Sequence, residues 1–295
     1  MDFGVDGGEV VSASPLVEVV DERFASRGVR LWVKRDDLIH PELPGNKYRK
    51  LKYNLVEAAA GEYRTLLTFG GAYSNHLRAV AAAGALFGFA TVGVVRGDEL
   101  ASRPLNESLA FARERGMRFV FVDRATYRRR AEAEFVDELR REHGRFFLIP
   151  EGGSNANAVR GCAELPAELD VPYDVVAVAC GTGGTLAGIA AGLPEGRAAL
   201  GFAVLKGDFL GDEVARLQRL AYGEVRGDWR VENAYHCGGY ARVTDELREF
   251  TDDFERRHGM PADRIYVGKL LYGLTAMVEA GEFRRGTGIV AVKTG

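Results

Sequence analysis

Short apolar runs rich in β-branched residues recur along the chain and alternate with stretches of helical periodicity. The runs lie at residues 31–34, 65–69, 90–95, 118–122, 146–150, 175–180 and 289–292. Strands that alternate with helices predict a parallel sheet covered on both faces. Amphipathic stretches at 105–115, where Leu105, Leu109 and Phe111 interleave with charge, and at 126–143 would supply that cover. Residues 268–280 place Leu270, Leu271, Leu274, Met277 and Val278 on one stripe, the pattern of a packed core helix. The longest uncharged run, 79–95, is cut by Gly84, Gly88 and Gly93 and reads as a buried helix followed by a strand, not a membrane span.

Composition narrows the class. A chain of 295 residues, 46% hydrophobic and 27% charged with only 9 Pro, fits a globular α/β protein of about two domains. Neither an internal repeat nor a low-complexity linker appears, so the second domain is expected as an insertion in the first: a large domain of 1–51 and 149–295 and a small one of 52–148. Thirty-nine basic against 42 acidic residues, with Arg128, Arg129 and Arg130 as the one like-charged block, exclude nucleic acid as a partner. The three cysteines, Cys162, Cys180 and Cys237, have no paired spacing, and Asp2, Asp6 and Glu9 do not make a secretory leader. A cytoplasmic setting without membrane association is expected.

Three segments carry candidate chemistry. Gly181, Thr182, Gly183, Gly184 and Thr185 follow an apolar strand and open a helix, so their amides and the helix dipole form an anion cradle. The spacing is neither a P-loop, since no Lys follows, nor a dinucleotide fingerprint, and a tight strand-to-helix turn is the structural alternative. Gly70, Gly71, Ala72, Tyr73, Ser74, Asn75 and His76 repeat the arrangement, with Ser74 or Asn75 equally suited to capping a helix. In one sheet, two such strand ends would face a ligand across a crevice. Gly45-Asn46-Lys47 precedes Arg49, Lys50 and Lys52. By spacing alone these cations describe a solvated helix face, but Lys47 stands at a probable helix start, where dipole and desolvation depress an amine's pKa and suit it to Schiff-base chemistry. His40, His143, His236 and His258 lack metal spacing, and Cys180 reads as a small buried hydrophobe.

Together these segments resemble the pyridoxal-phosphate (PLP) enzymes of the tryptophan-synthase-β-like fold, fold type II, in their 1-aminocyclopropane-1-carboxylate (ACC) deaminase and D-cysteine desulfhydrase group. The resemblance runs from Val33-Lys34-Arg35-Asp36-Asp37 through the three segments and Glu151-Gly152-Gly153-Ser154-Asn155 to Lys293-Thr294-Gly295. It implies an α/β fold of two parallel-sheet, three-layer domains with PLP between them, a small amino-acid substrate and a homodimer. It also implies that Lys47 carries the cofactor and moves protons, and that Asn75 bonds the ring hydroxyl. Ser74 would meet the substrate, and the amides of Gly181, Thr182, Gly183, Gly184 and Thr185 would hold the phosphate. Tyr240 and Tyr266 resemble the active-site tyrosines, with half-buried packing as their alternative.

Two departures bear on the substrate. ACC deaminases place a glutamate after the tyrosine matching Tyr266, where this chain has Val267, and a hydroxyl at Thr294 resembles the desulfhydrases. A protonated pyridine nitrogen strengthens the electron sink that ring opening needs. The expected reaction is therefore desulfhydrase-like β-elimination giving pyruvate, ammonia and sulfide. ACC deamination is the alternative. Val267 also differs from the hydroxyl residue of desulfhydrases, and Lys293 replaces their histidine. A catalytically silent binding protein is thus a second alternative, and a nucleotide-binding protein using residues 181–185 a third.

Overall fold

Strands that are apolar on both faces need helices above and below them, and the chain supplies these in alternation. The computed structural model describes residues 14–43 and 45–294. The chain opens with β1 (Leu16–Val19), α1 (Glu22–Ala25), β2 (Arg30–Lys34) and α2 (Asn46–Ala60). Next come β3 (Thr65–Gly71), α3 (Asn75–Phe87), β4 (Ala90–Arg96), α4 (Glu107–Glu114), β5 (Met117–Val122), α5 (Arg124–Arg128), α6 (Ala133–His143) and β6 (Phe147–Ile149). The remainder is α7 (Ala156–Cys162), β7 (Val175–Cys180), α8 (Gly184–Gly192), β8 (Ala198–Ala203), α9 (Phe209–Tyr222), β9 (Asp228–Glu232), α10 (Asp245–His258), α11 (Val267–Glu279) and β10 (Gly288–Val292).

Two sheets result, one ordered β1-β2-β10-β7-β8-β9 and the other β5-β4-β3-β6. Neighbouring strands run parallel, except that β1 lies antiparallel to β2 at an edge. Strand order reverses where β10 drops in between β2 and β7, and again where β6 pairs with the side of β3 away from β4. Crevices open outside the carboxyl ends of strands at such reversals. Residues 181–185 and Thr294 lie past the ends of β7 and β10. Residues 72–76 and Glu151 lie past β3 and β6.

Helix α8 is apolar on every side and buried from Gly184 to Ala190, as befits a helix enclosed in the core. Its small residues let backbone approach backbone. A Cβ on Gly188 would collide with Cys162 and the Val159 carbonyl, and one on Gly201 of β8 with Leu186 and Cys180. Leu270, Leu271, Leu274, Met277 and Val278 of α11 are all buried in the core, as their stripe predicts.

Helix α2 is anchored by charge. Arg49 makes a two-pronged bond to Asp36 (2.7 and 2.9 Å) and another to Glu168 (2.6 and 2.8 Å), and Lys34 reaches Glu168 at 2.8 Å. Burial opposes the Arg49 charge, but its carboxylate partners hold the pKa above the usual arginine value. The turn into α2 is equally constrained, because a Cβ on Gly45 (φ +62) would land on the Thr294 carbonyl oxygen.

The structure amends several sequence expectations. Three strands were not expected from the sequence: β1 is a four-residue edge strand, β8 is built of Ala, Leu, Gly and Phe without a β-branched residue, and β9 is a polar edge. The expected amphipathic stretch 126–143 is two helices, α5 and α6, separated at 129–132, where Glu132 just before the second is extended (φ −78, ψ 133). The basic segment 47–52 is not a solvated face, since Arg49 and Lys50 are buried and Lys52 pairs with Glu164 at 2.7 Å.

Replacing Gly45 with Ala should cost at least about 2 kcal/mol in denaturant-unfolding stability, because a side chain there is both strained and obstructed. The same change at Gly88, also at positive φ but with nothing within 4 Å of the added carbon, should cost about 1 kcal/mol.

Candidate active site

A cavity of about 410 Å³ occupies the crevice between the carboxyl ends of the two sheets. Lys47, Ser74, Asn75, Tyr240, Tyr266, Thr294 and residues 181–183 and 185 all line it. Gly184, which does not, is the buried first residue of α8 directly behind them.

Lys47 lies in the first turn of α2, and its Nζ donates to Asn46 Oδ1 at 3.2 Å. Burial, and then the neighbouring Lys50 charge, pull the Lys47 amine from its ordinary 10.5 down to about 7. Asn46 Nδ2 in turn donates to Thr185 Oγ1 at 2.8 Å, so one asparagine couples the amine to the glycine loop.

That loop is an anion cradle. Helix α8 begins without a side-chain cap, behind Gly183 in the left-handed region (φ +72), so its first amides are free. Lys50 points into the same place. Its Nζ donates to the Gly152 carbonyl (3.1 Å), Ser154 Oγ (3.1 Å) and Thr182 Oγ1 (3.4 Å), while Ser154 and Thr182 share a 2.6 Å bond. A Cβ on Gly184 would come within 2.7 Å of Ser154 Oγ and 3.3 Å of Lys50 Nζ, so glycine keeps the cradle open. Burial lowers the Lys50 pKa as well.

On the opposite rim Ser74 caps α3, accepting from Leu77 N at 3.3 Å, while the Asn75 side chain makes no hydrogen bond among the described residues. His76 is buried with Nε2 2.8 Å from Thr68 Oγ1 and Nδ1 unpartnered. Burial, and then the charges of Lys47 and Lys50, hold its pKa well below the ordinary value, so it is neutral.

Tyr266 packs edge-on against Tyr240 with 6.1 Å between ring centroids and 3.5 Å between hydroxyls. Burial, reinforced by that hydrogen bond, raises the Tyr266 pKa far above the usual phenol range. Tyr240 sits on a loop with Cys237, Gly238, Gly239 and Ala241 all at positive φ. The buried Lys269 pins this loop by donating to the Gly239 carbonyl at 2.7 Å.

Thr294 is 5% exposed and lines the cavity, whereas Val267 is 2% exposed and belongs to the core. Lys293 is explained by structure: its Nζ pairs with Asp37 at 2.8 Å, away from the cavity lining. Sequence reasoning missed Lys50, Asn46, Ser154, Arg96 and Glu151 as parts of the site. Only the helical spacing of Lys50, one turn after Lys47, held a usable signal.

A partly neutral lysine amine beside the free first amides of a helix is a donor set that fits a phosphorylated aldehyde such as pyridoxal phosphate. Comparison with known proteins agrees. The family model for pyridoxal-phosphate dependent enzymes matches residues 10–295, and the chain belongs to that family. A bifunctional D-cysteine desulfhydrase/ACC deaminase of Arabidopsis thaliana is 32% identical, over 84% of this chain and 67% of its own. A D-cysteine desulfhydrase of Yersinia pestis is 27% identical over 97% and 92%. The crystal structure of an ACC deaminase homologue superimposes with a TM-score of 0.83 at 28% identity, covering 97% of this chain and 90% of that one. The cofactor is therefore PLP and the fold is fold type II.

The depressed Lys47 pKa has a direct readout. Acetylation of Lys47 by acetic anhydride in the cofactor-free protein, followed by peptide mass mapping, should rise with pH about a midpoint near 7. Lys50→Met should raise that midpoint by removing a neighbouring positive charge. A midpoint near that of exposed lysines would contradict the burial argument.

Proposed function

We propose that this protein is a PLP-dependent lyase that eliminates the β-substituent of a small amino acid, D-cysteine foremost. The observation that carries the choice is the absence, among the described residues, of a free carboxylate from the cavity lining. Thr294 offers a hydroxyl, Val267 is turned into the core, and Glu151 is taken up by Tyr127 (2.8 Å) and Arg130 (2.7 Å). Nothing there would keep a pyridine nitrogen protonated, so a reaction that expels a good leaving group is favoured over ring opening of ACC.

When bound, the cofactor supplies an electron sink for the pair left at the substrate's α-carbon. The chain does the rest. In this reading residues 181–185 and Lys50 hold the phosphate, Asn75 the ring hydroxyl, and Ser74 with the start of α3 the substrate carboxylate. Lys47 Nζ, with a pKa of about 7, removes the α-proton. Tyr266 stays protonated at neutral pH and so serves as a proton donor, not a base. It delivers its proton to the departing sulfur, with Tyr240 beside it to share the charge. The Cβ–S bond breaks, aminoacrylate is released, and water converts it to pyruvate and ammonia. D-cysteine and water thus become pyruvate, ammonia and hydrogen sulfide.

The domain division is part of the same proposal: the four-stranded sheet is the small domain of about 52–148, inserted in the large one, with the site between them. Helix α2 and strand β6 straddle its edges. A cytoplasmic location is supported by three free cysteines, and a homodimer is proposed from the family resemblance, to be read from the mass in solution.

The purified enzyme should release pyruvate and sulfide from D-cysteine and turn over ACC poorly. Efficient ACC turnover without sulfide release would overturn the reading. Tyr266→Phe should lower kcat on D-cysteine about 10²-fold. The loss should be much smaller on β-chloro-D-alanine, since chloride leaves without a proton.

A further inference from the structure

One cation at the cavity has no task in the reaction just described. Arg96 ends β4 and lines the cavity, and among the described residues its guanidinium has no carboxylate partner. In the sheet register Arg96 pairs with Gly71, and a Cβ on Gly71 would lie 3.6 Å from Arg96 Nη2. The guanidinium therefore rests on the last residue of β3, just before the turn that carries Ser74 and Asn75. It stacks 5.7 Å from the centre of the Tyr127 ring. Tyr127 is itself fixed, because its hydroxyl donates to Glu151, whose other oxygen is held by Arg130. The arrangement holds a planar donor over the cavity while neutralising the one nearby carboxylate that would otherwise claim it.

Charge inventory gives the ligand class. Among the described residues the lining contains Lys47, Lys50 and Arg96 against Glu151 alone, which is engaged. Lys50 and the start of α8 account for the phosphate, and Ser74 with the start of α3 for one carboxylate. We infer that Arg96 extends the range of the site beyond D-cysteine to substrates whose β-substituent carries a second anion, such as a phosphate, sulfonate or carboxylate, an assignment that rests on the β-elimination reading. For a phosphate ester the Cβ–O bond would break as the α-proton leaves. Phosphate departs with the electron pair, and water converts the aminoacrylate to pyruvate and ammonia.

The test uses the PLP-loaded enzyme, both enantiomers of O-phosphoserine, and both enantiomers of β-chloroalanine as the uncharged counterpart. Arg96→Gln should lower kcat/KM for phosphoserine about tenfold or more, chiefly through KM, and leave chloroalanine within about twofold. Arg96→Lys should fall between, because a lysine keeps the charge but loses the fork. Equal losses on both substrates would place Arg96 on the α-carboxylate instead and overturn the inference. So would no loss on either, or a wild-type enzyme that turns over chloroalanine but neither turns over nor binds phosphoserine. Failure on both chloroalanines would count against β-elimination itself. Calorimetric titration then still decides Arg96: binding of phosphoserine about tenfold tighter than serine, lost in Arg96→Gln, upholds the anion site, and equal affinities refute it.

Discussion

Two lysine amines one helical turn apart are withdrawn from solvent at the carboxyl ends of parallel strands, Lys47 half-buried and Lys50 buried, with no carboxylate bonded to either among the described residues. Burying an unpaired ammonium costs several kcal/mol, and two side by side add mutual repulsion. The chain resolves the conflict differently for each. Lys47 gives up its proton easily, with a pKa of about 7, which makes it a nucleophile near neutrality. Lys50 is surrounded by three oxygens and faces the free amides of α8, an environment completed by an anion. The same constraint shapes its surroundings, from the glycine at 184 to the buried Arg49–Asp36 pair that, with Glu168 nearer the surface, holds α2 in place.

Much of this was legible in the sequence because it rests on local signals. The β-branched runs gave most central strands, and the glycine turns at 70–71 and 181–184 marked the two strand ends that face the cavity. Lys47 followed from its place at a helix start. What escaped depends on packing between distant segments. Strand β8 owes its place to close contact with α8, so it carries small residues in place of β-branched ones. Lys50 looked solvated because a count of cations cannot show that residues 152–154 and 182 close over it. Lys293 looked like altered chemistry, yet it pairs with Asp37, a partner remote in sequence. The helix break at 129–132 lacks glycine and proline, so no local residue signal marks it.

The tyrosines show how environment assigns roles that residue type leaves open. A phenol with an ordinary pKa could serve as base or acid. Burial beneath Tyr240 raises that of Tyr266, which in the proposed reaction suits it to donate a proton and leaves the base to Lys47. Thr294 and Val267 act by what they withhold, since neither brings a carboxylate to the cavity. Substrate choice in this account is a consequence of charge placement around one crevice.

The central claim is that Lys47, and not the more deeply buried Lys50, bonds the cofactor. Borohydride reduction of the PLP-loaded protein, proteolysis and mass mapping test it most directly. The account expects the pyridoxyl group on Lys47 with Lys50 unmodified, and a pyridoxyl group on Lys50 with Lys47 free would contradict it.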